Sequence, residues 1–377
     1  MKPTAILIAL LCLTSRPAGA LEKTDWPWWR GPHHNGIAEA DQDLPLTFSE
    51  TENLHWATPI PGRGHGSVSV FGDRLFLAIA DEKKQTQGLL CLDRETGMVE
   101  WSRELHRGGF PKANKKASHA SSSPACDGER VIISFLNHNG VHTTALDLDG
   151  KQLWQTRITD YVLHQGYGAS PFIYKSLVLI AADNKGNRNR KDEPEKKGGV
   201  ICGLDRKTGK VVWSFDRPAL PNYPSPVVHH IDGRDQLIMT GCERVTSLDP
   251  LTGEKLWEAE GATTECVTTT VTDGERIFTS GGYPRNHVAA MAADGSGKIH
   301  WDNISRVYVP SMLLRDNHLY AVMDAGFAVC WKSDTGERLW KKRLGGDFSA
   351  SPVMVGNHIY AANEKGDFFV LRATPEG

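Results

Sequence analysis

Six times along the chain a strand-like run ends in Asp-rich turn chemistry, then Gly, then Trp four residues later. The copies read LDRETGMVEW ending at Trp101, LDLDGKQLW at Trp154, LDRKTGKVVW at Trp213, LDPLTGEKLW at Trp257, AADGSGKIHW at Trp301 and WKSDTGERLW at Trp340. Self-similarity of this kind marks a repeat architecture, in which each unit buries its apolar face only against its neighbours. Every copy reads as a hairpin: Asp accepts from the backbone two residues on, and Gly supplies a positive φ. The Trp rings then serve as apolar plugs between adjacent units.

Two further strand-like runs precede these hairpins. ASPFI (169–173) leads to LVLIAA (177–182), PSPVV (224–228) to QLIMTG (236–241), and VPSMLL (309–314) to HLYAVM (318–323). Short strands in fours, separated by Gly, Asp and Asn turns, predict an all-β, seven-bladed β-propeller of four-stranded antiparallel blades. The seventh blade comes from counting the ends. After Trp340 the chain gives three strands and stops, while residues 53–60 read as a lone strand with Trp56 in the repeat's Trp register. An N-terminal strand that completes the last blade closes the ring and leaves no open sheet edge.

The expected organisation is a signal peptide (1–20), a Trp-rich N-terminal arm (21–52) and the propeller (53–377). Lys2, the apolar run 5–13 and Ala18-Gly19-Ala20 have the order of a cleaved secretory signal. The apolar run is too short to span a bilayer, so no transmembrane segment is expected. Cys12 follows Leu10 and Leu11 rather than a small residue, a poor setting for lipid attachment. These features predict a secreted or periplasmic protein. None of the six later cysteines forms a C-x-x-C pair, so spacing indicates no zinc site, and Cys91 and Cys330 share a register suited to buried small hydrophobes. A net charge of −2 gives no reason to expect nucleic acid as a partner.

The Asp-x-x-Thr-Gly-x-x-x-Trp hairpins and Ser-Pro-opened strands resemble the pyrroloquinoline-quinone-type (PQQ-like) propeller repeat over nearly all of 53–373. WPWWRGPHHNG (26–36) is similar to the Trp-rich leader that precedes this repeat in secreted bacterial proteins. The resemblance implies the fold. It spans quinone-dependent dehydrogenases and a cofactor-free lipoprotein of the outer-membrane barrel assembly machinery. The larger dehydrogenases have eight blades, a disulfide between adjacent cysteines under the quinone, and a calcium site. This chain shows seven units, no Cys-Cys pair and no matching carboxylates, so PQQ is not expected and the cofactor is left open.

In a propeller, the loops leading into the innermost strands and those joining second to third strands share one face around the channel. That face collects Arg63, His65, His119, His164, Tyr167, Tyr223, Glu265 and Tyr308 from the first kind of loop. From the second kind it takes His138, His142, Arg244, Tyr283, Arg285, His287 and Asp324. His119, His164, Tyr167 and Glu265 are the candidate catalytic groups, with His or Tyr as base and Glu as acid. Arg63, His65, Tyr223, Arg244, Tyr283, Arg285, His287 and Tyr308 are the candidate ligand-binding groups. His65, His119 and His164 sit at similar positions in three consecutive units and could hold a metal with Glu265, though no local spacing supports one. The loop 183–199, dense in both charges, reads as a solvated excursion.

Three functions fit these residues. The first is a binding or scaffold propeller for a saccharide or an extracytoplasmic protein. The second is a saccharide-acting lyase or hydrolase with its acid-base groups at the channel mouth. The third, more remote, is a quinone-dependent dehydrogenase. Convergence of the His, Tyr and Glu groups on one pocket separates the enzyme from the scaffold.

Overall fold

The structure is a computed structural model that describes residues 21–114, 116–161, 165–185 and 198–377. The expected signal segment and His164 lie outside the described residues. The fold is a seven-bladed β-propeller. Blade 1 comprises β1 (Ser69–Phe71), β2 (Arg74–Asp81), β3 (Thr86–Asp93) and β4 (Val99–Arg107), an antiparallel meander in that spatial order. Blades 2 to 6 repeat it at 125–160, 172–216, 227–260, 271–303 and 313–343. The second and third strands of each blade carry the core: Ile132, Ile133 and Leu179 are fully buried, each worth about 1.5–3 kcal/mol in transfer terms.

The repeated turn does what its residues predict. Asp93 Oδ1 accepts from the Thr96 N–H (2.7 Å) and hydroxyl (2.6 Å), and Asp205 holds Thr208 in the same way. Just before the turn a one-residue register shift recurs, at Cys91/Leu92 in blade 1 and at Cys330/Trp331 in blade 6. Such bulges increase local twist, as a tightly wound blade requires.

Three of the repeat Trp residues donate to the hairpin of the following blade, whereas the Trp257 indole donates to Gln236 Oε1 of its own blade (2.8 Å) and that of Trp340 to Thr374 O (3.0 Å). The indole N–H of Trp101 donates to Leu148 O (2.9 Å), that of Trp154 to Arg206 O (3.0 Å) and that of Trp301 to Ser333 O (2.8 Å). Trp301 also lies flat on Gly336, where a Cβ would stand 2.6 Å from its Cδ2. Nearer the channel a second link runs blade to blade. The backbone N–H of Ser67 donates to Ser123 Oγ, Ser123 to Ser170, Ser170 to Ser225, Thr269 to Ser311 and Ser311 to Ser351, all at 2.9–3.0 Å. The serine of each Ser-Pro opening is therefore an inter-blade connector as well as a strand opener.

The seventh blade has three strands, Val353–Val355, His358–Ala362 and Phe368–Arg372. Residues 53–60, expected as its fourth strand, join no strand ladder, yet they occupy the outer position by the Trp criterion. The Trp56 indole N–H donates to Arg94 O (3.0 Å) on the blade 1 hairpin, and Thr58 Oγ1 donates to Gly97 O (2.6 Å). Trp154 and Thr156 make the same pair of contacts with Arg206 and Gly209. Side chains, rather than a backbone ladder, hold this segment in place.

The N-terminal arm has a definite place. Asp25 Oδ1 accepts from Gly72 N–H at the β1–β2 turn (2.9 Å), so the arm arrives from the hairpin face. It then crosses the channel and meets blades 1, 2, 3, 5, 6 and 7. Trp26 bridges Val70 in blade 1, and Pro27 O accepts from Cys126 N–H in blade 2 (2.8 Å). His34 stacks on Phe172 in blade 3 (3.9 Å between centroids). The Trp29 indole N–H donates to Thr269 Oγ1 before the inner strand of blade 5 (2.8 Å). Arg30 donates to Met312 O of blade 6 and to Pro352 O of blade 7 (3.0 Å), and Ile37 pairs in parallel with Met354.

Candidate functional site

With the arm across the channel from the hairpin side, the loop face is the open end. Its polar side chains form two groups on different arcs of the ring. The first spans blades 4 to 6. The Tyr308 hydroxyl donates to Glu265 Oε2 (3.0 Å), and Glu265 N–H donates to Tyr283 O (3.1 Å). Asp324 Oδ2 accepts from Tyr308 N–H (2.8 Å), and Tyr223 is tied through its N–H to Cys266 O (3.0 Å). Burial, and secondarily the Glu265 carboxylate, push the Tyr308 and Tyr223 phenols well above their ordinary range. Both are therefore protonated donors near neutral pH, not bases. Burial likewise raises the Asp324 carboxyl, against the opposing pull of the Tyr308 N–H.

The second group lies on blades 1 and 2. Arg63 is 3.8 Å from Glu82, and its guanidinium lies 3.4 Å from His65 Nε2. His119 meets the Phe110 ring at a tilt (4.2 Å between centroids), and burial lowers its pKa against the raising influence of Glu82. Farther out, His106 and His142 meet ring to ring (5.2 Å), and burial holds His106 down at about 4. No hydrogen bond among the described residues joins this group to the Tyr–Glu group. The structure thus brings Tyr223, Glu265, Tyr283, Tyr308 and Asp324 together, and Arg63, His65 and His119 together, as two groups on different arcs.

Other expected site residues are committed elsewhere. Tyr167 is 5% exposed, packed edge-on against Tyr161 with its hydroxyl donating to Ala181 O (3.1 Å), so it belongs to the core beneath the face. His287 is buried, with Nε2 3.2 Å from Gly261 O. Arg244 pairs with Glu258 on the blade 4 edge. Tyr283 (55% exposed) and Arg285 are free of the core and stand on the rim.

Sequence reasoning placed Asn222 on this face but missed Arg217 and Asp183, which complete the anchor beneath it. Arg217 grips Asp183 with two bonds of 3.0 Å, and Asn222 donates to the same carboxylate (2.8 Å) while accepting from Cys266 N–H (2.7 Å). The Arg217–Asp183 pair is essentially inaccessible. Its only sequence signal was an Asp at the root of the charged loop.

A tricarboxylate quinone in the channel would need open volume and uncommitted cations. The arm runs along the inner strands, and Arg30 gives its two terminal nitrogens to the carbonyls of Asn35, Met312 and Pro352 while its buried Nε has no partner among the described residues. Among the described residues no group of three or more His, Cys, Asp or Glu side chains is placed to hold a metal ion.

These features define a closed propeller of Trp-docked, Ser-linked blades with an occluded channel and one open face. Residues 47–187, 142–342 and 309–374 match the PQQ-like repeat model described as outer membrane protein assembly factor BamB, and the chain belongs to this family. It is 25% identical over 344 residues to a polyvinylalcohol dehydrogenase of Sphingopyxis sp. (strain 113P3), covering 87% of this chain and 45% of that protein. A second polyvinylalcohol dehydrogenase, from Pseudomonas sp., is 28% identical over 191 residues, covering 50% of this chain and 28% of that one. The chain thus spans less than half the length of either. Among solved structures, BamB from Moraxella catarrhalis aligns with a TM-score of 0.55 at 17% identity, covering 83% of each chain. Quinohemoprotein alcohol dehydrogenase from Comamonas testosteroni aligns at 0.60 and 13% identity, over 83% of this chain and 65% of that one. At these identities the structures share the fold.

Proposed function

We propose that this protein is an extracytoplasmic scaffold that binds a partner protein on its loop face. The observation that carries the reading is the rim formed by Tyr283 and Arg285, exposed side chains mounted on the bonded lattice of Glu265, Tyr308 and Asp324. Tyr and Arg on a rigid support are the residue types that dominate protein-binding energy, because little side-chain freedom is lost on association. Two further observations support it. The polar groups satisfy one another instead of converging on a reacting atom, and the family is described by an assembly factor. The secretory-type N-terminus supports an extracytoplasmic location. A saccharide partner, with or without lyase or hydrolase chemistry, rests on the sequence alone.

The second reading, an alcohol-oxidising enzyme, is favoured by the names of the two polyvinylalcohol dehydrogenases. The occluded channel weighs against it.

Site-specific photocrosslinking in intact cells separates the two. A crosslinker at Tyr283 or Arg285 should capture a discrete protein partner, whereas one at Lys210, on the blade 3 hairpin, should not. Equal capture from all three positions overturns the scaffold reading. Polymer or secondary-alcohol oxidation by purified protein supplied with quinone and calcium would establish the second.

A further inference from the structure

At the edge of the Tyr–Glu group, whose Tyr308 ring lies 5.6 Å from the Arg306 guanidinium, a groove of about 510 Å³ opens between blades 5 and 6. One wall is the connection from Asn303 to Arg306, and the other is blade 6, through Arg338 and Lys341, with Trp331 also in the lining. Three lining residues are cations and none is a carboxylate. Arg306 has a distant partner, Asp324 at 3.9 Å, whose carboxylate already accepts from Tyr308 N–H. Arg338 and Lys341 are exposed, and among the described residues neither is in an ion pair; Lys341 Nζ instead sits over the Phe327 ring, 4.3 Å from its centroid.

Two neutral features add to the cations. Asn303 Oδ1 accepts from Ser305 N–H (2.9 Å), which fixes the amide and leaves Nδ2 buried without an acceptor. Ile304 is 86% exposed at the lip, an apolar side chain that nothing in the fold requires there. Like charges in an open groove repel one another, and an anion relieves that repulsion while gaining from all three.

We propose that the blade 5–6 groove is a binding site for an acidic peptide segment, one that carries carboxylates beside an aliphatic side chain. The carboxylates meet Arg306, Arg338 and Lys341, the guanidinium groups offering paired donors that match carboxylate geometry. The aliphatic side chain covers Ile304, and the exposed amide of Asn286 suits a peptide backbone. The groove borders the loop-face lattice, since Asn286 follows Arg285 and Arg306 reaches Asp324, but Arg338 and Lys341 belong to blade 6 alone and allow this site to be tested apart from Tyr283 and Arg285.

The test uses the purified intact protein and a fluorescein-labelled hexapeptide, Glu-Leu-Glu-Glu-Leu-Glu, followed by fluorescence anisotropy. Binding should be saturable and should weaken several-fold between 50 and 300 mM salt, as screening requires. The variant Arg338→Ala/Lys341→Ala should bind at least tenfold more weakly, Arg338→Lys/Lys341→Arg should restore most of the affinity, and Lys207→Ala/Lys210→Ala on blade 3 should change nothing. Both residues are exposed, so melting curves of all variants should coincide. The proposal is overturned if the acidic peptide fails to bind, if its Gln-for-Glu counterpart binds equally, or if the double Ala variant keeps full affinity. It is also overturned if a hexameric polyuronate competes more strongly than the unlabelled peptide, which makes the groove a glycan site.

Discussion

Gly336 and Trp301 form a steric pair whose energy can be isolated. Trp301 is 9% exposed, and truncation to Ala should cost about 3–5 kcal/mol, the usual range for a buried aromatic. Gly336→Ala carries two costs. Its φ of +72° places a Cβ-bearing residue in the left-handed region, at about 1–2 kcal/mol. The new methyl would also lie 2.6 Å from Trp301 Cδ2, an overpacking cost of about 1–3 kcal/mol. With Trp301 already Ala, only the backbone cost remains. The double variant should therefore be more stable than the sum of the singles predicts, by about 1–3 kcal/mol. Equilibrium urea unfolding, read by far-ultraviolet dichroism and Trp fluorescence with coincident transitions as the two-state check, measures all four corners. Additivity within about 0.5 kcal/mol would refute the idea that the repeat's Gly is required by the ring of the preceding blade.

Two further predictions follow from the same packing. Trp56→Ala should destabilise the protein by at least about 2 kcal/mol and raise hydrogen exchange in blades 1 and 7, whereas unchanged melting would mean that 53–60 is not a working part of the ring. Burial holds His34 down at about 3 and His229 at about 4, while an unfolded His titrates near 6.5. The unfolded chain therefore binds more protons below pH 6.5, and stability should fall as pH drops from 6.5 towards 4. His34→Asn, chosen because Asn tolerates the positive φ at that position, should flatten this decline; parallel curves for variant and wild type would count against it.

The hairpins were legible because Asp, Gly and Trp act through local geometry, and each does so at fixed spacing. The serine links were not, since Ser67 and Ser123 are 56 positions apart and a hydroxyl before a strand has many local uses. Tyr167 illustrates the limit at the face. An amphipathic ring looks the same in sequence whether its hydroxyl meets solvent or, as here, the Ala181 carbonyl. Glu265 and Tyr308 were both assigned to the loop face, but their contact joins blades 5 and 6 and depends on how those blades rotate against each other. Arg306, Arg338 and Lys341 drew no notice because isolated surface cations are ordinary. Only the groove wall brings them together.

The channel-crossing arm has a consequence for biogenesis. Residues 26–37 are synthesised before any blade, yet their last partners, Pro352 O and Met354, arrive almost at the end of the chain. Trp29 must therefore wait for blade 5, and the buried Arg30 for blades 6 and 7, before their partners exist. Their docking is a completion signal: a chain interrupted before blade 7 keeps an apolar tail on display, a ready handle for chaperones and proteases, whereas a finished ring withdraws it.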